Sequence, residues 1–369
     1  MSVTISEAVK YIGVDDKTID LFESQYVVPH GVSYNSYLIL DEKVALMDTV
    51  DTRGVEQWEK NLLAALDGRK VDYLIVSHLE PDHAGSIGRL VELFPEVTLV
   101  GNAKTFHMLP QFFDELPVDE NHKITVAEGE SLSLGTHTLN FYMAPMVHWP
   151  EVMVTYESSE KILFSADGFG KFGALDYEDP EGWACEARRY YFNIVGKYGA
   201  PVQALLKKAA GLDIQTICPL HGPVLKENLG YYIGLYDTWS SYKPEDKGVL
   251  VAYASIHGNT AKAAQKFAEM LRAKGVEKVS VMDLSRDDMA EVVEDAFRYD
   301  RMVLAAASYD GGVFPCMQDF LHHLQLFQQH YLITEANLVH YTFRYIFDLI
   351  LELRLVHLLY FYFLQGKLL

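Results

Sequence analysis

The sequence predicts an α/β protein of two domains, and three observations predict it. Its 369 residues are about twice the length of a typical single domain. Short, β-branched apolar runs alternate with amphipathic helical stretches. A polar stretch, SSYKPEDKG (240–248), separates a mixed pattern of strands and helices from one that reads as a parallel βαβ unit. The boundaries that follow are 1–245 for a first domain, 248–325 for a second, and 326–369 for a tail of different character.

Taken in order, SYNSYLILDEKVALMDTV (33–50) alternates as paired strands do, and GVEQWEKNLLAAL (54–66) has helical spacing. VDYLIVSH (71–78) is a compact buried strand followed by a helix from Ser86 to Phe94. ITVAEGESLSLGTHTLNFYMAP (124–145) reads as strand, turn, strand, and EKILFSADGFG (160–170) as a strand ending in a polar turn. A long helix spans 184–211, broken near Gly199-Ala-Pro201. Beyond the linker, GVLVAYAS (248–255), KVSVMDL (278–284) and RMVLAAAS (301–308) are strands, and NTAKAAQKFAEMLRAKG (259–275) is a helix stopping at Gly275.

Composition narrows the partners. Against 31 Lys and Arg stand 51 Asp and Glu, a net charge of −20. Such a surface repels phosphate backbones, which argues against nucleic acid and for a basic carrier protein or a small neutral substrate. Cys185, Cys218 and Cys316 include no C-x-x-C pair, which excludes a rubredoxin or zinc-ribbon module and fits a reducing cytosol. The N-terminus shows no basic region followed by an apolar core, so no signal peptide is expected. The tail carries twelve Leu, five Phe and five Tyr, with no Pro and a single Gly. Its longest uncharged run, Leu355 to Gly366, is 12 residues against the ~20 of a membrane span, which predicts a sticky segment rather than an anchor.

The chemistry concentrates at His78-Leu-Glu80-Pro-Asp82-His83, at the end of a buried strand. Imidazoles and carboxylates crowded at one turn resist burial unless a cation compensates them; the plainer alternative is a solvated acidic turn. His148, Asp167 and His221 each close a further strand. Singly each reads as a polar loop residue, but together with the turn they form a set of four His and three carboxylates without thiolate, which suits iron or manganese better than structural zinc. Asp48 reads either as a carboxylate orienting a ligand histidine or as a turn-forming Asp. His30, His107, His122 and His137 lack a cluster and read as surface or satisfied polar residues.

These residues resemble the flavodiiron proteins, or A-type flavoproteins. Hydrolases of the metallo-β-lactamase fold carry H-x-H-x-D-H, and the flavodiiron version has Glu second, as His78-x-Glu80-x-Asp82-His83 does; SHLEPDHAGS, APMVHWPEVMVTY and PLHGP are also similar. The resemblance implies a metallo-β-lactamase-like αββα sandwich followed by a flavodoxin-like doubly wound sheet. It further implies that His78, Glu80 and His148 bind one iron, that Asp82, His83 and His221 bind the other, and that Asp167 bridges them.

In the second domain, Ser255-Ile256-His257-Gly258-Asn259-Thr260 lies between a strand and a helix, where backbone N–H groups can cradle a phosphate; the alternative is an ordinary capped turn. On its strand it resembles the FMN phosphate loop of flavodoxins, and Ser308-Tyr309-Asp310-Gly311-Gly312-Val313-Phe314 resembles the second flavin loop. A fourth strand, a third flavin loop and a fifth strand are not recognisable after Leu324. The sheet is therefore expected to be incomplete, the tail to form one or two helices, and FMN to bind weakly or not at all. The composition break suggests a tail from a shifted reading frame or another aberrant origin.

The resemblance implies a cytoplasmic oxidoreductase that reduces dioxygen to water, nitric oxide to nitrous oxide, or both. Its cofactors would be two non-haem irons and FMN. Its partners would be a separate rubredoxin or similar carrier and a second copy in a head-to-tail dimer, or a tetramer. The alternatives are a binuclear metal hydrolase of the same fold, which Glu80 argues against, and a crippled iron-binding product lacking FMN.

Overall fold

The computed structural model describes residues 5–113 and 116–325, and the backbone of Tyr360–Gln365. The chain divides into two compact units, Met1–Asp237 and Thr238–Leu369. No helix among the described residues is long and apolar enough to cross a membrane.

The first unit is built on two sheets. One has six strands in the order Val9–Tyr11, Tyr37–Leu40, Val44–Met47, Tyr73–Ile75, Thr98–Gly101 and Lys123–Thr125. The other has five, Ser131–Ser133, Thr138–Met143, Met153–Glu157, Ile162–Phe164 and Thr216–Cys218. Residues spaced by two along these strands point to one face. Thus Tyr37, Ile39, Ala45, Met47 and Ile75 from the first sheet meet Leu139, Phe141, Met153, Phe164 and Cys218 from the second in one buried cluster. Helices cover the outer faces: Val55–Leu66 buries Trp58, Leu62 and Leu66, four residues apart along one stripe. This is the αββα sandwich.

Two elements differ from the sequence reading. The stretch 124–145 holds three strands rather than two, because Lys123–Thr125 completes the first sheet in parallel with Thr98–Gly101 before the chain crosses to the second. The helix over 184–211 breaks earlier than Pro201. Trp183–Tyr190 passes into a π-helical turn, Tyr191–Val195, then a 3₁₀ turn, and Pro201 sits in the first turn of Gly199–Ala209, where its missing N–H costs nothing.

In the second unit, Val279–Asp283, Asp246–Ala254 and Tyr299–Ala306 are parallel neighbours in that order. Val249, Val251 and Tyr253 face Ala264 and Ala268 of helix Asn259–Ala273. Alternate residues Leu250, Ala252 and Ala254 are buried on the opposite face, with helices Met289–Arg298 and Pro315–Gln325 beside the sheet, the doubly wound arrangement. A fourth strand, Tyr360–Gln365, runs antiparallel to Tyr299–Ala306 and corrects the expectation of helix for that part of the tail. Tyr and Phe favour extended backbone, and the strand pairs backbone groups that an edge would leave open. The helices expected within 326–359 lie outside the described residues.

Candidate metal centre

Each residue of the metal set comes from a loop that leaves a strand of the sandwich, so all seven project from one end of the two sheets. His78 lies three residues past Tyr73–Ile75, and Glu80 precedes the short helix Pro81–Ala84 that carries Asp82 and His83. Pro81 sits at the first helical position, where a missing N–H is tolerated. Asp167 follows Ile162–Phe164, and His221 follows Thr216–Cys218. Gly222 lets the chain turn away from His221: its φ is +80°, and a Cβ there would stand 2.5 Å from Lys171 Cγ.

The seven side chains form two groups. His78, Glu80, His148 and Asp167 offer ligand atoms that all lie within 4.8 Å of one another, and so do Asp82, His83 and His221. In the first group Glu80 Oε2 lies 3.2 Å from His78 Nε2 and 3.0 Å from His148 Nε2. In the second, His83 Nε2 and His221 Nε2 are 3.0 Å apart, and Asp82 Oδ2 is 3.3 and 3.2 Å from them. Asp167 faces both. Its Oδ2 is 3.3 Å from His78 Nε2 and 3.4 Å from His148 Nε2, while its Oδ1 is 3.3 Å from His83 Nε2 and 3.7 Å from His221 Nε2.

Two observations fit this set to a pair of cations. Cis ligand atoms about 2.1 Å from a common ion stand about 3 Å apart, which matches these separations. Both oxygens of Asp82 and of Asp167 are buried and accept no hydrogen bond among the described residues. Leaving such charges uncompensated costs several kcal/mol each. Burial alone would push the Asp167 carboxyl up, but His78, His148 and His83 outweigh it and hold the group well below the carboxylate range. Conversely, burial pulls His78 down, while Asp167, Glu151 and Glu80 drive it well above the usual imidazole value. The same carboxylates that favour a proton on His78 would favour a cation in its place.

The surroundings fix the rings. His78 Nδ1 donates to Glu151 Oε1 at 2.8 Å, and His221 Nδ1 donates to the Ser33 carbonyl at 2.8 Å, so both rings turn Nε2 inward. Glu151, fully buried, also accepts from the Leu79 N–H at 2.9 Å. Sequence reasoning missed it, although it stands three residues after His148 in a string already singled out. Asp48 does orient His78, but through the backbone: its Oδ1 accepts from the N–H of Ser77 at 2.7 Å and, more weakly, of His78 at 3.4 Å. His137 is tied to Asp41 and His30 stacks on Tyr177, neither near the cluster.

In the second unit, Ser255 Oγ accepts from the Gly258 N–H at 3.1 Å, and Gly258, at φ +83°, opens helix Asn259–Ala273. Ser308–Tyr309 and Gly312–Val313 form a hairpin turned by Asp310 and Gly311, both at positive φ. The two loops follow neighbouring parallel strands at their carboxyl ends. Ile256, next to that helix N-terminus, and Tyr309 and Val313 of the hairpin are exposed, which fits loops that take a ligand with one charged and one flat apolar end.

A sandwich with a two-part ligand cluster at its rim, followed by a flavodoxin-like unit, defines a metallo-β-lactamase fold adapted to a binuclear centre. A family model described as ODP family beta lactamase matches residues 32–222, and one described as a flavodoxin domain matches 250–341. A nitric oxide reductase of Moorella thermoacetica is 32% identical over 334 residues, covering 87% of this chain and 82% of that protein. A diflavin flavoprotein of Synechocystis is 34% identical over 281 residues, but the chain spans only 48% of its length. Among solved structures, the flavodiiron protein from Giardia intestinalis superposes with a TM-score of 0.82 at 26% identity, covering 88% of this chain and 80% of that one. The rubredoxin oxygen:oxidoreductase of Desulfovibrio gigas gives 0.82 at 26%, covering 89% and 84%. The chain belongs to the flavodiiron protein family, whose cofactors are a non-haem diiron site and FMN.

Proposed function

We propose that this chain reduces dioxygen to water, nitric oxide to nitrous oxide, or both, taking electrons from a rubredoxin-type carrier. The observation that carries the reading is Asp167, whose two oxygens face two separate histidine pairs. His78, Glu80 and His148 would hold one iron, Asp82, His83 and His221 the other, with Asp167 shared. Ser255, His257, Gly258, Asn259 and Thr260 would hold the FMN phosphate, and Ser308, Tyr309, Asp310, Gly311 and Gly312 the ring. When bound, FMN takes up single electrons and the iron pair offers adjacent sites for reducing O2 or two NO molecules.

The residues of the chain prepare this chemistry. Glu151 and the Ser33 carbonyl engage Nδ1 of His78 and His221 and so aim their Nε2 atoms inward. The buried carboxylates Asp82 and Asp167 neutralise part of the cationic charge. A rubredoxin-type carrier would supply the electrons, and a head-to-tail dimer would bring the flavin of one copy to the irons of the other. Anaerobic turnover of the purified protein with each gas, using reduced rubredoxin, tests the proposal. Consumption of either gas, abolished by removing iron, is expected; two bound zincs with neither gas consumed would contradict it.

A further inference from the structure

His148, Trp149 and Glu151 stand in one loop whose backbone is folded on Trp149: its carbonyl accepts from the N–H of Met146 at 2.7 Å and of Val152 at 3.4 Å. The indole lies against the first ligand group. Its ring is 5.1 Å from that of His78 and 6.3 Å from that of His148, edge to face with both at 89° and 74°. Phe112 packs on the indole at 5.7 Å and is exposed, whereas Trp149 is half-buried. Among the described residues, Trp149 is the only ring besides imidazoles set against His78 and His148. The second group is enclosed differently. His221 lies 5.4 Å from Phe22, 5.4 Å from Tyr190 and 6.1 Å from Tyr34, all three buried. Buried rings thus close one half of the centre, and a half-buried indole under an exposed phenyl closes the other.

We infer that Trp149 is a positioning residue of the metal centre: with Phe112 as its outer layer, it covers His78 and His148 and controls how solvent reaches, and how metal leaves, that half alone. The inference rests on reading the cluster as a diiron centre. For a metal to leave, an imidazole has to swing off it while water or a competing ligand enters, and an apolar shell slows both. His78 is also held by Glu151 through Nδ1. His148 meets Glu80 and Asp167 through Nε2 alone among the described residues, so ring packing is what steadies it from outside the cluster.

Iron release from the reduced, ⁵⁷Fe-loaded full chain into an excess of a ferrous chelator tests this, with Mössbauer spectra of the iron left behind distinguishing the two sites. In Trp149→Ala one iron should leave about tenfold faster than in wild type, while the other keeps its rate. Phe112→Ala should speed the same iron by a smaller factor; its exposed position keeps the test decisive even if Trp149→Ala fails to fold. Trp149→Phe, which keeps a ring in place, should return release to near the wild-type rate. Equal acceleration of both irons, unchanged release in Trp149→Ala or Phe112→Ala, or release from Trp149→Phe as fast as from Trp149→Ala would overturn the inference. A wild-type chain without two irons would instead defeat the diiron reading itself, before any variant is compared.

Discussion

Glu151 separates a ligand from the group that holds it. It is not one of the seven clustered residues, yet its carboxylate fixes the ring of His78. Glu151→Ala should lower iron affinity about 10- to 100-fold in a folded protein, and Glu151→Gln should lower it less, because an amide oxygen still accepts from Nδ1–H. A chelator competition titration reads this; equal losses would remove the ring-holding role. Asp167→Ala should lose more iron than His78→Ala, since it strips charge from both groups at once. Elemental analysis of the two variants checks the order. The seven candidate ligands that cluster here were legible because four of them crowd into six residues and three close strands. Glu151 was not, since it meets His78 only when strands of different sheets come together, 73 residues apart. The Ser33 carbonyl that aims His221 is backbone, which no side-chain pattern announces.

At the scale of elements, the hairpin loop carrying Asp41 is fastened to the turn Gly135–His137, joining the two sheets of the sandwich at one edge. His137 Nδ1 donates to Asp41 Oδ2 at 2.8 Å. Burial pulls His137 down, but Asp41 and Glu160 outweigh it and raise the imidazole above its usual value. Its contribution to stability is therefore fully present below the unfolded value of about 6.5 and lost as pH rises through the raised folded value. Burial likewise pushes Asp41 up, yet the hydrogen bonds from His137 hold it below the carboxylate range, so its share is lost only under strong acid. His137→Gln should thus lower the melting temperature at pH 6 and leave it nearly unchanged at pH 10; an equal drop at both would refute the ion pair's role. The strands themselves were legible from apolar runs. The early break at Tyr191–Val195 and the strand at Tyr360–Gln365 were not, because a π turn and an edge pairing depend on what packs beside them.

For the whole molecule, every proposed iron ligand lies within the compact unit Met1–Asp237. A fragment of residues 1–237 should therefore keep two irons per chain, and less than one would contradict that independence. The αββα class was legible only through the family resemblance that the His78-x-Glu80-x-Asp82-His83 turn carries, whereas the strand and helix pattern after residue 248 read directly as a parallel βαβ unit. The antiparallel edge strand Tyr360–Gln365 was not legible, since its run of Tyr, Phe and Leu lacks the polar alternation and preceding turn signals that mark a strand.

The most direct test of the shared centre is an applied-field Mössbauer spectrum of the oxidised, ⁵⁷Fe-loaded full chain with its iron-to-protein ratio. Ferric ions joined through Asp167 are expected as two per chain with a coupled, diamagnetic ground state. One iron per chain, or two irons with independent magnetic splitting, would contradict a binuclear centre built on Asp167.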